Sequence, residues 1–467
     1  MSFSHQHDAG VNFKIVLNSF AQAPGLPFQD VLTAEHIAAV AAEEEVHFGS
    51  APGAIYTVAV TLWAFLAQVL SKEKACVAAV ARVMVLRMAL DRAPCAEGTG
   101  AYCKARAKLP ERFLQRLALE VGQQLERSAP ASWRWKGRHV YLADGSTVTM
   151  PDTPANQRAY PQHRTQKPGL GFPMARIVVL LGLATAALVG AAIGPCIGKK
   201  QGEPALLHTL LDQLQSGDVL LGDRLYASYW LVALAHVRGL DVVFRLHQRR
   251  GYDFRRGTRL GPDDHVVVWS KPKRPPWLDE KTYAALPETL TVREVRTQVS
   301  NPGFRVKELV TVTTLLAADT YTKDDLTDLY QERWHVELDL RSIKTHLGMD
   351  MLRCKTPDMV RKEIWGHFLA YNLTRQVMAQ AAVDEGVNPR HCSFLGAVQN
   401  LNEFRILLTA WADKRAERVQ ILWLAIVTHP VGDRPGRCEP RAVKRRPKWR
   451  YLTKPRPQAR AALLKVR

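Results

Sequence analysis

A chain of 467 residues with 47% hydrophobic and 23% charged content has enough apolar material for a sizeable buried core, which excludes a disordered or fibrous protein, and its length suits about three domains. Lys plus Arg outnumber Asp plus Glu by 64 to 44, a net charge of +20 that favours a polyanionic partner, nucleic acid first among them. Seven scattered cysteines without a C-x-x-C pair exclude a disulfide framework and a zinc finger, and the polar opening MSFSHQHDAG lacks a secretory signal's regions, so reduced thiols in a cytoplasmic protein are expected.

Residues 1–130 read as helices, with apolar periodicity in VAVTLWAFLAQVL and RFLQRLALEVGQQL. AYCKARAKLPERF carries Lys104, Arg106, Lys108 and Arg112, a basic face for DNA or a solvated helix surface. From Arg138 the pattern turns to strands. RHVYLADGSTVTM leads apolar residues into Asp144 and a Gly turn, which places an acid at a strand end. Ile177 to Gly198 then runs 22 residues without a charge, long enough to span a bilayer. Gly182, Gly190, Gly194 and Pro195 divide it into two strand-length halves, and a buried strand pair is the reading adopted over a membrane span.

ALLHTLLDQLQSG reads as an amphipathic helix, and DVLLGDRLYASYWLVALAHVRGLDVVFRL as strand, helix and strand, with Asp223 just beyond VLLG. Residues 248–307 form an irregular insertion with β-like runs at HVVVWS and TLTVREVRT. ELVTVTTLL returns as a strand, and a long helix follows it with Thr322 or Asp324 as its cap. Residues 352–430 are mainly helical, and 434–467 form a basic, Pro-rich tail.

The segment Tyr330 to Lys344, YQERWHVELDLRSIK, concentrates the chemistry. On an α-helix Arg333, Glu337, Arg341 and Lys344 fall within roughly 80° of one another, with Tyr330 inside that arc. Leu329, Val336, Leu340, Ile343 and Leu347 make a separate apolar stripe, and Trp334 is assigned to packing. A carboxylate among cations suits a metal ligand beside a phosphate backbone. The competing explanation is a solvated helix laced by i,i+4 ion pairs.

Tyr-x2-Arg-x3-Glu-x6-Lys resembles the signature of DDE transposases of the insertion sequence 4 family, and ADGS around Asp144 and LLGDRLY around Asp223 are similar to its other two catalytic phrases. The resemblance implies an α/β fold: a ribonuclease-H-like mixed-sheet catalytic core at 138–351 with the β-rich insertion 248–307, flanked by helical N- and C-terminal regions. It implies that Asp144, Asp223 and Glu337 bind two divalent metal ions, Mg²⁺ or Mn²⁺, and are the catalytic residues. An in-line displacement at a phosphodiester has an attacking and a leaving oxygen, which two cations roughly 3.5–4 Å apart can clamp.

The same resemblance assigns Tyr330, Arg333 and Lys344 to DNA phosphates and implies strand cleavage at transposon ends followed by attack of the freed 3′ hydroxyl; Arg341, a basic residue on the same helix face, and Arg224, which follows the second aspartate as is common in the family, are further DNA-binding candidates. Trp269 and Trp277 are candidates to stack on a flipped base. Expected partners are double-stranded DNA, as terminal inverted repeats and target, and a second copy of the chain in a synaptic dimer, in a cytoplasmic, nucleoid-associated setting without a membrane. The alternative is a catalytically silent DNA-binding protein derived from a transposase. Asp152 and Asp218 are rival acids, but neither sits at the C-terminal end of an expected strand.

From Arg434 onward there are 13 Lys or Arg against one acid, Glu439, so +12 of the +20 lies in the last 34 residues. Deleting them is expected to weaken DNA binding and flatten its dependence on salt, because fewer counterions are released. A titration of affinity against salt checks this, and an unchanged slope means that the tail does not touch DNA.

Overall fold

The computed structural model describes residues 32–430 and 454–464, apart from 72, 89–90, 166, 168, 199, 299–307 and 411–414. Most of the basic tail, with Cys438 and Trp449, lies outside the described residues. Nine strands form one sheet in the order β3-β2-β1-β4-β5-β9-β8-β7-β6. They are β1 Val140–Thr149, β2 Met174–Gly182, β3 Leu188–Pro195, β4 Val219–Gly222, β5 Asp241–Arg245, β6 Thr258–Gly261, β7 Asp264–Ser270, β8 Thr289–Gln298 and β9 Glu308–Thr313.

The first five strands follow the order 3-2-1-4-5 of a ribonuclease-H-like sheet, with β1, β4 and β5 parallel. Their sequences show why they take the middle. Val140, Leu142, Val219, Leu221, Val242, Val243 and Phe244 are fully or almost fully buried, as strands covered on both faces require. Helix Tyr229–His236, capped by Ser228, makes the crossover that parallel β4 and β5 need. β9 pairs antiparallel with β5, and the insertion adds β8, β7 and β6 beyond it. The runs HVVVWS and TLTVREVRT are strands β7 and β8 of the same sheet.

The apolar run Ile177 to Gly198 folds as β2 and β3, and among the described residues no helix is long and apolar enough to cross a membrane. Part of the tail is among the described residues. Arg456–Leu464 is a helix, with the Arg456 guanidinium 3.8 Å from the Phe172 ring centroid and its Nη1 2.9 Å from Asp152 Oδ2. Pro455 and Pro457 sit at the start of this helix, where a missing N–H costs no ladder bond.

By contacts the chain divides into two units. One comprises 140–180, 191–336 and 433–467, and holds most of the sheet. The other comprises 1–139, 181–190 and 337–432, so helical segments from both ends of the sequence share it with the turn end of the β2–β3 hairpin. Its axis is helix Pro357–Asp384, buried along most of its length and packed on helix Glu111–Arg127. Asn372 on that axis accepts from Leu188 N and donates to the carbonyls of Leu188 and Ala118, each at 2.8 Å, so its amide continues the hairpin's hydrogen bonding. Gly122 makes that approach possible, since a Cβ there would collide with the Leu188 carbonyl.

Two arginines meet one buried carboxylate in the same unit. Asp339 accepts from Arg375 Nη2 at 2.8 Å and from Arg390 Nη1 at 3.1 Å, and Arg390 also donates to the Gly182 and Leu183 carbonyls. Asp339 is 1% exposed. Asp339→Ala is expected to destabilise the protein by about 3–5 kcal/mol in a denaturant melt, because it strands two guanidinium groups away from water. A loss under about 1 kcal/mol would mean that water replaces the carboxylate.

Candidate active site

The parallel pairing of β1 with β4 puts the first two acids together. Their register ends at Ala143 opposite Gly222, so Asp144 on β1 and Asp223 just beyond β4 follow that pair at the same end of the sheet. Neighbouring strands run about 4.8 Å apart, and registered residues on parallel strands face the same way. The expected end of β1 at Asp144 is corrected here: the strand continues to Thr149, and Gly145 is in the strand rather than a turn. What ends at Asp144 is the pairing with β4, because β4 stops at Gly222 while β1 runs on.

Each aspartate also has a local bond. Asp144 Oδ1 accepts from Gly145 N at 2.7 Å, and Asp223 Oδ1 accepts from Leu225 N at 2.8 Å, the two-residue turn that Asp often makes. The Asp144 carboxyl is pushed up to about 6, chiefly by burial and further by the charges of Asp223 and Glu203, against the pull of the Gly145 N–H and Arg333. The rival acids are accounted for elsewhere, Asp152 by Arg456 and Asp218 by the Gln215 N–H at 2.8 Å.

Arg333 and Tyr330 belong to this neighbourhood. Burial pushes the Tyr330 phenol up to about 12, while Arg333, which is hydrogen-bonded to it, and Arg245 pull it down. The phenol feels the charge of Asp223, so the signature's Tyr and Arg lie within electrostatic reach of the aspartates. Arg224 is exposed, and its Nη1 donates to Gln248 Oε1 at 2.8 Å.

The helix carrying the signature differs from the regular α-helix expected. Lys323–Gln331 is α-helical and begins with a capping box of Thr322 and Asp325. Glu332–Trp334 is a 3-10 turn, His335–Arg341 is α, and Ser342–His346 is a π turn closed by Leu347 N on Ser342 O at 3.0 Å. A tighter turn at Arg333 and a wider one at Lys344 shift the angles that a uniform 100° step predicts. A cause is visible at the second break: the Ser342 hydroxyl donates to Leu338 O at 3.1 Å and competes with the ladder.

Glu337 lies in the first turn of His335–Arg341, one residue into the helical unit, and Arg341 at its end is exposed. Lys344 is half-buried, and burial lowers its pKa against the opposing charge of Asp350. Among the described residues no group of three His, Cys, Asp or Glu already has the geometry of a metal site.

The aromatic assignments change. Trp334 is 58% exposed rather than packed, since the 3-10 turn carries it off the apolar stripe. Trp269 is 4% exposed, with Nε1 donating to Glu294 Oε1 at 3.1 Å and Arg250 lying 3.7 Å from its ring centroid, so it is committed to the core of the insertion. Trp277 packs near the His208 ring at 5.8 Å.

Four groups escaped sequence reasoning: Glu203 and Tyr226, within electrostatic reach of both aspartates, Arg176, which acts on those two, and Arg245, which acts on Tyr330. Glu203 opens helix Glu203–His208, its carboxyl raised by burial, with Arg176 Nε 3.7 Å from Oε1. Its place in a first turn beside Pro204 reads as ordinary dipole matching, which conceals it. LLGDRLY did contain Tyr226, but nothing in its spacing shows that the ring turns back toward the acids.

The raised Asp144 pKa has a consequence for stability. An unfolded carboxyl titrates near 3.9, so the folded state binds the proton more tightly and stability falls as pH rises from about 4 to about 6. In metal-free protein Asp144→Asn is expected to raise the melting temperature at pH 8 more than at pH 4. Equal shifts at the two pH values would mean that the carboxyl is not strained in its ionised form.

Residues 135–373 match the family described as Transposase DDE domain. Transposase InsG for insertion sequence element IS4 of Escherichia coli (strain K12) is 29% identical over 363 residues, covering 76% of this chain and 78% of that one. The putative transposase InsZ of the same organism is 25% identical over 147 residues, covering 28% and 48%. A solved piggyBac transposase synaptic complex with hairpin DNA aligns with a TM-score of 0.42 at 10% identity, over 85% of this chain and 79% of that one. With the family match spanning half the sequence, this chain belongs to the DDE transposases of the insertion sequence 4 type and is a DNA transposase.

Proposed function

We propose that Asp144, Asp223 and Glu337 hold divalent cations and that the chain nicks DNA at the ends of its element, then joins the freed 3′ hydroxyl to target DNA. The observation that carries this reading is the placement of Asp144 and Asp223 side by side where the β1–β4 pairing ends, with Arg333 and Tyr330 in electrostatic reach. Glu337 takes the third position from the signature, four residues beyond Arg333.

The donors suit a hard cation. They are all oxygen, and burial together with like charge makes ionised Asp144 costly until a cation offsets it. Two Mg²⁺ or Mn²⁺ ions are proposed; when bound they supply Lewis-acid polarisation of the phosphate and a more acidic water.

The chain's own side chains do the positioning. Arg333, Arg341, Lys344 and Arg224 hold phosphate oxygens and stabilise the charge that builds there during displacement. Tyr330, with a pKa near 12, remains protonated at neutral pH and donates to a phosphate oxygen. Recognition of the element's terminal inverted repeats, pairing of two chains in a synaptic dimer and association with the nucleoid belong to the same proposal.

The test is cleavage of a labelled duplex carrying the element's terminal repeat, with Mg²⁺, with Mn²⁺ and with EDTA. Nicking at the repeat boundary is expected with either metal and not with EDTA. Asp223→Asn and Glu337→Gln are each expected to lower its rate by about 10²–10³-fold or more, on the scale of losing one group that stabilises transition-state charge, with end binding retained. Binding without nicking under every metal would favour a catalytically silent DNA-binding protein, and full activity of Glu337→Gln would remove that residue from the site.

A further inference from the structure

The geometry points to Glu203 as a fourth acidic donor of the cation site, with the Tyr226 hydroxyl as a buried donor that supports the loaded state. This rests on the cation-binding reading of Asp144 and Asp223. Three observations combine to carry it.

The first is contact. Gly145 directly follows Asp144, and a Cβ at that position would fall on the Glu203 carboxylate, so this acid lies against the strand that presents Asp144. Glycine at 145 is what admits it. Glu203 is also among the charges that act on Asp144, and Asp223 among those that act on Glu203, so the three acids share one neighbourhood.

The second is an unmet hydrogen bond. Tyr226 is 0% exposed and its hydroxyl has no hydrogen-bond partner among the described residues, while the acids that act on it are Glu203, Asp144 and Asp223. A buried hydroxyl without a partner is costly. Its ring is fixed by packing on Gly222 and near Phe244, so the phenol is held beside the acids.

The third is incomplete neutralisation. A cation beside Glu203 is Arg176, whose Nε stands 3.7 Å from Oε1, is buried and makes no hydrogen bond among the described residues, while its Nη1 donates to the Gln201 carbonyl at 2.9 Å. A guanidinium committed to a structural ion pair would close to hydrogen-bond distance. At this separation Arg176 screens Glu203 and leaves its oxygens available to a second cation. Arg176 therefore compensates the three acids only in part, and a bound ion would complete it.

Isothermal titration of the full chain with Mn²⁺ in the absence of DNA, with Mn²⁺-induced thermal stabilisation as a second readout, tests this directly. Glu203→Gln is expected to weaken Mn²⁺ binding about 10-fold or more, and Glu203→Asp to recover part of the loss. Tyr226→Phe is expected to leave the metal-free melting temperature equal or higher, because an unsatisfied hydroxyl is gone, and to shrink the rise that Mn²⁺ produces. Asp144→Asn is the control. If it weakens Mn²⁺ binding while Glu203→Gln does not, this inference is overturned and the cation site stands. If neither variant changes Mn²⁺ binding, the cation-site reading itself fails. Should Glu203→Gln not fold, Tyr226→Phe decides: an undiminished Mn²⁺ effect overturns the role of the phenol, and an intermediate Glu203→Asp affinity retains Glu203 as a donor.

Discussion

Pairing between β1 and β4 ends at Ala143 and Gly222, and the residue that follows each of them in the chain is an aspartate. Parallel register brings the two carboxylates to one sheet end, where burial and, less strongly, the charge of Asp223 strain the ionised Asp144. The surroundings answer that strain in several ways. Gly145 donates its N–H, Arg333 contributes positive charge, and Tyr330 is held against Arg333 within reach of Asp223. The strands cannot relax the arrangement, since β4 is buried along its whole length and β1 through Ala143. A rigid, apolar sheet thus carries polar groups that it does not itself favour.

The signature segment follows a different physical rule. Its chemistry is spread along a helix whose winding changes from α to 3-10 to α to π within Lys323–His346. Each change rotates the following residues relative to a regular helix, so the directions of Arg333, Glu337 and Lys344 are set by local hydrogen bonding as well as by spacing. Trp334 shows the effect: spacing assigned it to packing, and the 3-10 turn leaves it exposed.

In the helical unit, polar groups are buried without forming a chemical centre. Asp339 joins Arg375 and Arg390, and Asn372 joins helix Glu111–Arg127 to the hairpin residue Leu188. Arrangements of this kind contribute specificity of packing, because only one geometry satisfies every donor and acceptor. They also explain why segments before and after the sheet share one unit: helix Pro357–Asp384 finds its partner in helix Glu111–Arg127, about 250 residues earlier.

The sequence by itself determined the strands around Asp144 and Asp223, the hairpin hidden in a 22-residue apolar run, the capped start of the signature helix and the family, because these depend on local periodicity, turn chemistry and short spacings. Tertiary structure decided what spacing cannot encode. Strand pairing set Asp144 beside Asp223, and Gly145 let Glu203 approach from a helix about 60 residues away. Packing turned Tyr226 toward the acids and committed Trp269 to Glu294 and Arg250. Each of these outcomes rests on contact between residues distant in sequence, where a side chain's role is fixed by what excludes water from it and which charges remain within reach.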